Sequence, residues 1–168
     1  TKYKEDSRGR YICHKVNING SAARNTGVRN ASGRYIALLD DDDVFYPQNI
    51  EEHMRVLPYL SDDYALSYCG HDEYIDDKKL REVCRLFSGQ DLYGLFLHKI
   101  VVGSTSMCIR RSTWESLGGF DESFFRHQDW EFSARLMSQY KVKALSHIGF
   151  RRYIVQRNSP KKPELVIS

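Results

Sequence analysis

The feature that most constrains this chain is a run of five apolar residues, Tyr35-Ile36-Ala37-Leu38-Leu39, that stops at four consecutive aspartates, Asp40 to Asp43. The run follows Gly33, is too short for a typical helix and has no polar face, so it reads as a buried strand. Four adjacent carboxylates repel one another, and the arrangement persists where water screens the charges or a cation neutralises them. In an open α/β sheet the carboxyl end of a strand is where ligands bind, which makes the tetrad the first candidate site.

With 168 residues, 41% of them hydrophobic and 28% charged, the chain has the apolar content for one globular domain with a real core. Its 25 basic and 22 acidic residues nearly balance at a net charge of +3, which gives no electrostatic reason to expect a nucleic-acid partner. The cysteines, at 13, 69, 84 and 108, form no CxxC pair. That spacing argues against a zinc ribbon or a thioredoxin-like site, and the four read as reduced core thiols of a chain in a reducing compartment. No segment approaches the ~18 to 20 apolar residues of a membrane span, and the first residues lack a signal-peptide core. The expected location is the cytoplasm.

Local signals outline alternating helices and strands. Tyr11 to Cys13 is a strand candidate, and Ser21 is the expected N-cap of a helix from Ala22 to Val28, closed by Asn30 to Gly33. After the tetrad, Pro47 opens a helix to Leu60 whose Ile50, Met54, Leu57 and Leu60 form an apolar face. Tyr64 to Cys69 predicts a second strand, and Glu73 to Ile75 with Glu82 to Phe87 a hairpin turning at Asp76 to Lys79. A short helix from Leu92 to Leu97, a strand from Ser104 to Ile109 with hydroxyls unusual for a core, and a brief helix from Trp114 to Leu117 follow. Gly118-Gly119 ends that helix, Asp129 to Tyr140 predicts the next, and Ala144 to His147 a closing strand. Residues 158 to 168 read as a tail.

Hard divalent cations take oxygen ligands, commonly one or two carboxylates completed by water and substrate phosphates. On an extended backbone Asp40 and Asp42 point to the same side and Asp41 away, so a D-x-D pair can approach one ion. A solvated acidic turn is the alternative. An EF-hand is a poor alternative because Phe45 stands where the loop needs Gly. A second acidic site, Asp129-Trp130-Glu131, suits either the first turn of a helix or a general base: a carboxylate flanked by Trp130 and Phe125 is desolvated and becomes a better proton acceptor near neutral pH. Arg24 follows two small residues, where it can pair with Asp40 or with a phosphate, or stand as a surface arginine. The six histidines show no metal-ligand spacing, and only His127 stands beside a candidate site.

Three ordered stretches carry a resemblance. Asn19 to Gly27, Gly33 to Asp43, and Gly118-Gly119-Phe120-Asp121-Glu122 with Gln128-Asp129-Trp130-Glu131 and Arg135 together resemble the family 2 glycosyltransferases of GT-A fold, over about residues 10 to 160. The resemblance implies an α/β, Rossmann-related mixed sheet flanked by helices. It also implies transfer of a sugar, with inversion, from a nucleotide-diphosphate donor, a UDP-sugar above others, to the hydroxyl of a glycan or lipid-linked acceptor. Through it, Asp129 takes the role of base, with Gln128 where a glutamate is usual. Arg24, Asp40, Asp41 and Asp42 become donor-binding residues, with Asp42 the main ligand of Mn²⁺ or Mg²⁺. Gly103, Ser104, Gln128 and Trp130 fall to the acceptor side, with Thr105 beside them.

Two departures shape the expectation. The family's initial β-α-β segment, which holds the nucleotide base, has no counterpart here, so residues 1–157 are expected to form a partial, N-terminally truncated GT-A domain. The family's Tyr-Arg-x-His-x-x-Ser pattern keeps Tyr153 and Ser159, while Ile154 and Gln156 replace its arginine and histidine; Arg152 or Arg157 is the expected substitute. Peripheral contact with the inner face of a membrane is compatible with a lipid-linked acceptor. The competing function is a non-catalytic sugar-nucleotide or glycan-binding remnant. Phosphoryl transfer is disfavoured, since no Thr or Ser follows the tetrad in Asp40 to Val44 and no phosphate loop is present.

Overall fold

A computed structural model describes residues 7–96 and 102–154. Helix α1 (Gly20–Asn30) leads into strand β1 (Tyr35–Ala37), and the acidic turn connects it to β2 (Asp43–Phe45). Helix α2 (Asn49–Val56) ends in a 3₁₀ turn, Leu57–Tyr59, before the long strand β3 (Tyr64–Ile75) and its hairpin partner β4 (Lys78–Val83). Then come α3 (Leu92–Phe96), a 3₁₀ turn at Ser104–Ser106, β5 (Met107–Arg110), α4 (Arg111–Ser116), α5 (Gln128–Met137) and β6 (Lys141–Tyr153).

The strands form one mixed sheet in the order β1-β5-β3-β6-β2, with β4 also on β3. Only β3 and β6 run parallel; the other pairs are antiparallel. One edge of β3 is shared in succession, with Leu66 to Tyr68 pairing β5 and His71 to Ile75 pairing β4. Residues Ala65 to Glu73 are all buried, the pattern of a strand covered on both faces. Trp114, Phe120 and Phe132 meet with ring centroids 4.9–5.1 Å apart and join α4 and α5 to a core that includes Leu66, Tyr68, Met107, Ile109 and Leu136.

Several elements differ from the sequence expectation for physical reasons. Asn19 rather than Ser21 caps α1: the Ala22 amide donates to Asn19 Oδ1 at 3.0 Å, while Ser21 is buried inside the helix. β1 stops at Ala37; Leu38 remains buried, but Leu39 is 52% exposed as the chain turns. α2 begins two residues after Pro47, and its buried residues are Asn49 and His53, followed by Leu57, an i, i+4 row that leaves Ile50 42% exposed. The hairpin turns at Asp76-Asp77, with Asp76 at positive φ, so its second strand begins at Lys78, four residues before the expected start. Tyr11 to Cys13 forms no strand, and β6 runs far beyond the expected Ala144 to His147.

The cysteines are free, as expected, but only Cys69 and Cys108 are buried, with thiols pushed up to about 12 by desolvation; Cys13 is exposed. Leu97, Arg157, Ser159 and the expected tail lie outside the described residues.

Candidate active site

The acidic tetrad is a hydrogen-bonded turn, in which the Asp43 amide donates to the Asp40 carbonyl at 3.1 Å. That curl overturns the extended D-x-D geometry. Asp40 and Asp43 both line a cavity of about 170 Å³, Asp42 stands exposed at its margin, and Asp41 is exposed. One carboxylate oxygen from each of Asp40, Asp42 and Asp43 falls within 4.8 Å of the others, a hard-oxygen set that fits a divalent cation. Burial pushes the Asp43 carboxyl above its ordinary value, the Asp42 and Asp40 charges add to this, and the Thr105 hydroxyl and Arg152 oppose it. A cation held among the three would remove much of that electrostatic cost.

Asp40 is fixed from two sides. The Arg24 guanidinium pairs with it from α1, and the Ser104 hydroxyl donates at 3.1 Å from the turn before β5. Its own amide donates to Thr105 Oγ1 at 3.2 Å, while Ser106 Oγ donates to the Gly103 carbonyl at 2.7 Å. These bonds explain the run of serine and threonine there: a 3₁₀ turn rather than strand occupies 104–106, the Ser104 and Thr105 hydroxyls serve the acidic turn, and that of Ser106 closes the 3₁₀ turn itself.

Arg24 also donates to Gln128 Oε1 at 3.2 Å, so one side chain ties the tetrad to the start of α5. The loop before α5 is bound to α1 by Asn25, which donates to the Phe120 carbonyl at 2.8 Å and accepts from the Phe120 amide at 3.0 Å. Gly119 has φ +74, and a Cβ there would lie 2.6 Å from Asn25 Oδ1; glycine satisfies both conditions. Arg135 on α5 pairs with Glu131 and donates to the Leu117 and Gly119 carbonyls. The three sequence stretches that carry the resemblance thus interlock.

Asp129 and Trp130 reach the same cavity, whose lining also includes Gly103, Ser104, Thr105 and Arg152. Asp129 Oδ1 accepts from the Trp130 amide at 3.0 Å. His127, at φ 59, is the N-cap residue of α5 and makes no side-chain capping bond. Phe125 is 78% exposed and does not line the cavity, so of the two aromatics expected beside Asp129 it is Trp130 that stands in the wall. Gln128 contributes through Arg24 rather than by lining the cavity.

His71, Ser106 and Phe150, which no sequence motif singled out, complete the wall, and Asp43 joins Asp40 in it. His71 Nε2 is buried without a hydrogen-bond partner among the described residues, 3.6 Å from Glu73 Oε1, and its ring stacks on Phe150 at 5.0 Å. Register brings these groups together: β2 and β6 set Asp43 opposite Arg152, and β3 and β6 set His71 opposite Phe150. No local spacing encodes that.

The mixed sheet flanked by helices is similar to the GT-A glycosyltransferase structures. S. aureus TarS 1–349 in complex with UDP-GlcNAc superposes with a TM-score of 0.73 over 92% of this chain and 45% of that one, at 12% identity. The chain belongs to glycosyl transferase family 2, whose model matches residues 1–149. An uncharacterized glycosyltransferase of Rickettsia prowazekii is 34% identical over 74% of this chain and 42% of its own length. YwdF of Bacillus subtilis, also an uncharacterized glycosyltransferase, is 32% identical over 73% and 46%. The chain therefore spans less than half the length of these two relatives. Among the described residues no helix is long and apolar enough to cross a membrane.

Proposed function

We propose that this chain carries the sugar-transfer side of an inverting glycosyltransferase that takes its sugar from a nucleoside-diphosphate donor, a UDP-sugar first among them, and delivers it to a glycan or lipid-linked hydroxyl. The observation that carries the reading is Arg24 bonded at once to Asp40 and Gln128, which holds the acidic turn and Asp129 on one cavity. The UDP-GlcNAc complex of TarS supports the choice of donor class. A cavity of about 170 Å³ is smaller than the ~300–1,000 Å³ of a whole small-molecule site, and suits a sugar with part of its diphosphate.

Asp42, with Asp40 and Asp43, would hold Mn²⁺ or Mg²⁺, and the bound ion supplies charge compensation for the departing diphosphate. Arg24, Asp40 and Asp41 orient the donor. Asp129 accepts the proton of the acceptor hydroxyl as its oxygen attacks the anomeric carbon and the bond from that carbon to the diphosphate oxygen breaks. With the base on the face opposite the leaving group, the configuration inverts. Gly103, Ser104 and Trp130 shape the acceptor side, Trp130 offering a ring face to a sugar, and Gln128 serves it through its bond to Arg24.

The test uses the chain within its full-length protein, supplied with UDP-sugars and Mn²⁺ or Mg²⁺. Asp129→Asn is expected to lower kcat about 10²- to 10⁴-fold while donor affinity, read by calorimetry, stays within about twofold of wild type. Full turnover in Asp129→Asn removes it as base. Identical UDP affinities with and without Mn²⁺ sink the metal role of Asp42, and donor binding with no turnover in wild type favours a binding remnant.

A further inference from the structure

Behind the acidic turn, α2, β3 and β6 bring together three side chains that the proposed chemistry does not use. His53 on α2 and Cys69 on β3 are buried and His147 on β6 is half-buried, and one ligating atom from each lies within 4.8 Å of the other two. Their positions span 94 residues of sequence, which is why no spacing in the chain points to a metal site. A single ion with Zn–N near 2.0–2.1 Å and Zn–S near 2.3 Å needs its ligands about 3.3–3.8 Å apart, so a small closure of the side chains completes the set.

The surroundings are those of a coordination site. His53 Nδ1 is 2.7 Å from Ser67 Oγ, and His147 Nε2 is 3.1 Å from Asn49 Oδ1. Such bonds hold the orientation of each ring, the outer-shell pattern of metal-bound histidines.

Gly149 supplies an independent observation. Its φ is not in the left-handed region, so backbone conformation does not call for glycine; a Cβ there would instead overlap both Cys69 Sγ and the Asn49 carboxamide oxygen. The chain keeps open the space into which the thiol and the histidine-orienting carboxamide project. His147 also lines a surface groove with Glu52, Ser88 and Lys143, which provides an approach from solvent.

From this geometry we propose that His53, Cys69 and His147 form a binding site for a thiophilic transition-metal ion of the Zn²⁺ class, separate from the carboxylate triad, that staples α2 to the sheet. Binding displaces the Cys69 proton to solvent and forms a metal–thiolate bond; no electrons are exchanged. The Cys69 thiol now sits 3.5 Å from the Ser106 carbonyl, so the ion would also brace the turn that carries the hydroxyls of the cavity. The proposal does not depend on sugar transfer.

Co²⁺ titration of the full-length protein under reducing conditions tests it, with Zn²⁺ as competitor. The expected result is one equivalent of Co²⁺ giving a thiolate charge-transfer band in the near ultraviolet, abolished by Zn²⁺. The band is lost in Cys69→Ser, its affinity falls by about 100-fold or more in His147→Ala, and it is unchanged in Asp42→Asn, because carboxylate-bound Co²⁺ yields no such band. Zn²⁺ is also expected to raise the Tm of wild type and not of His147→Ala, a variant at a half-buried position that keeps the test valid if Cys69→Ser folds poorly. Absence of the band in wild type, its persistence in Cys69→Ser, or wild-type Co²⁺ affinity in His147→Ala overturns the site.

Discussion

Arg24 holds the acidic turn because a guanidinium has donors pointing in two directions, one set to Asp40 and one to Gln128. A lysine ammonium is a point donor on a flexible stem and cannot span both. Arg24→Lys is expected to cost about 1–2 kcal/mol in urea unfolding and to weaken UDP binding; wild-type values for both would remove Arg24 from its bridging role. Two glycines make a matched comparison at the same scale. Gly119→Ala meets a positive φ and the Asn25 carboxamide, with an expected loss of about 1–3 kcal/mol. Gly27→Ala, inside α1 with open space at its Cβ, should gain about 0.5–1 kcal/mol from helix propensity. Equal melting temperatures for the two would refute the conformational account of the Gly118-Gly119 loop.

At the scale of elements, α1 and α5 are positioned by polar side chains that clasp backbone. Asn25 satisfies both the amide and the carbonyl of buried Phe120, and truncating it leaves two buried groups without partners. Asn25→Ala is expected to destabilise by about 2–4 kcal/mol, measured as a shift of the urea midpoint at unchanged slope; a loss under 1 kcal/mol would mean that the Phe120 ring and the Arg135 bonds hold the loop without Asn25. The α2 helix shows why periodicity misleads here. Its apolar residues at 50 and 54 suggested a core face, but the sheet receives Asn49, His53 and Leu57. Asn49 and His53 find partners in His147 and Ser67, and a satisfied polar side chain can be buried where a hydrophobicity pattern places it outside.

For the molecule as a whole, β3 and β6 form the axis, and their far ends join the cavity wall to a charged cluster. Glu73 is only 5% exposed and is engaged by Arg81, with His71 at 3.6 Å and Arg152 at 3.8 Å. Arg81 holds its carboxyl below the ordinary value of 4.5. A group whose folded pKa is depressed contributes stability above its unfolded pKa and loses it as pH falls through the folded one. Wild type should therefore exceed Arg81→Ala in stability at pH 6, with the margin shrinking steadily below about pH 4.5. A pH-independent difference would show that Arg81 acts through packing instead.

Read alone, the chain's residues determined the family-level motifs, a strand shortly before the tetrad, the Gly118-Gly119 turn, and the order of most helices and strands. These depend on neighbours within a few positions, where φ preference, capping chemistry and alternation act directly. The curl at Asp40 to Asp43, the burial of Asn49 and His53, and the meeting of Asp43 with Arg152 and of His71 with Phe150 were decided only in three dimensions. The parallel pairing of β3 with β6 aligns residues about 80 positions apart, and such register follows from how the whole sheet packs. The same reason separates the parts of the tetrad: four adjacent aspartates look equivalent in sequence, and tertiary contacts make Asp40 the bonded anchor, Asp43 the desolvated wall, Asp42 the open third member of the triad and Asp41 a solvent-facing turn residue.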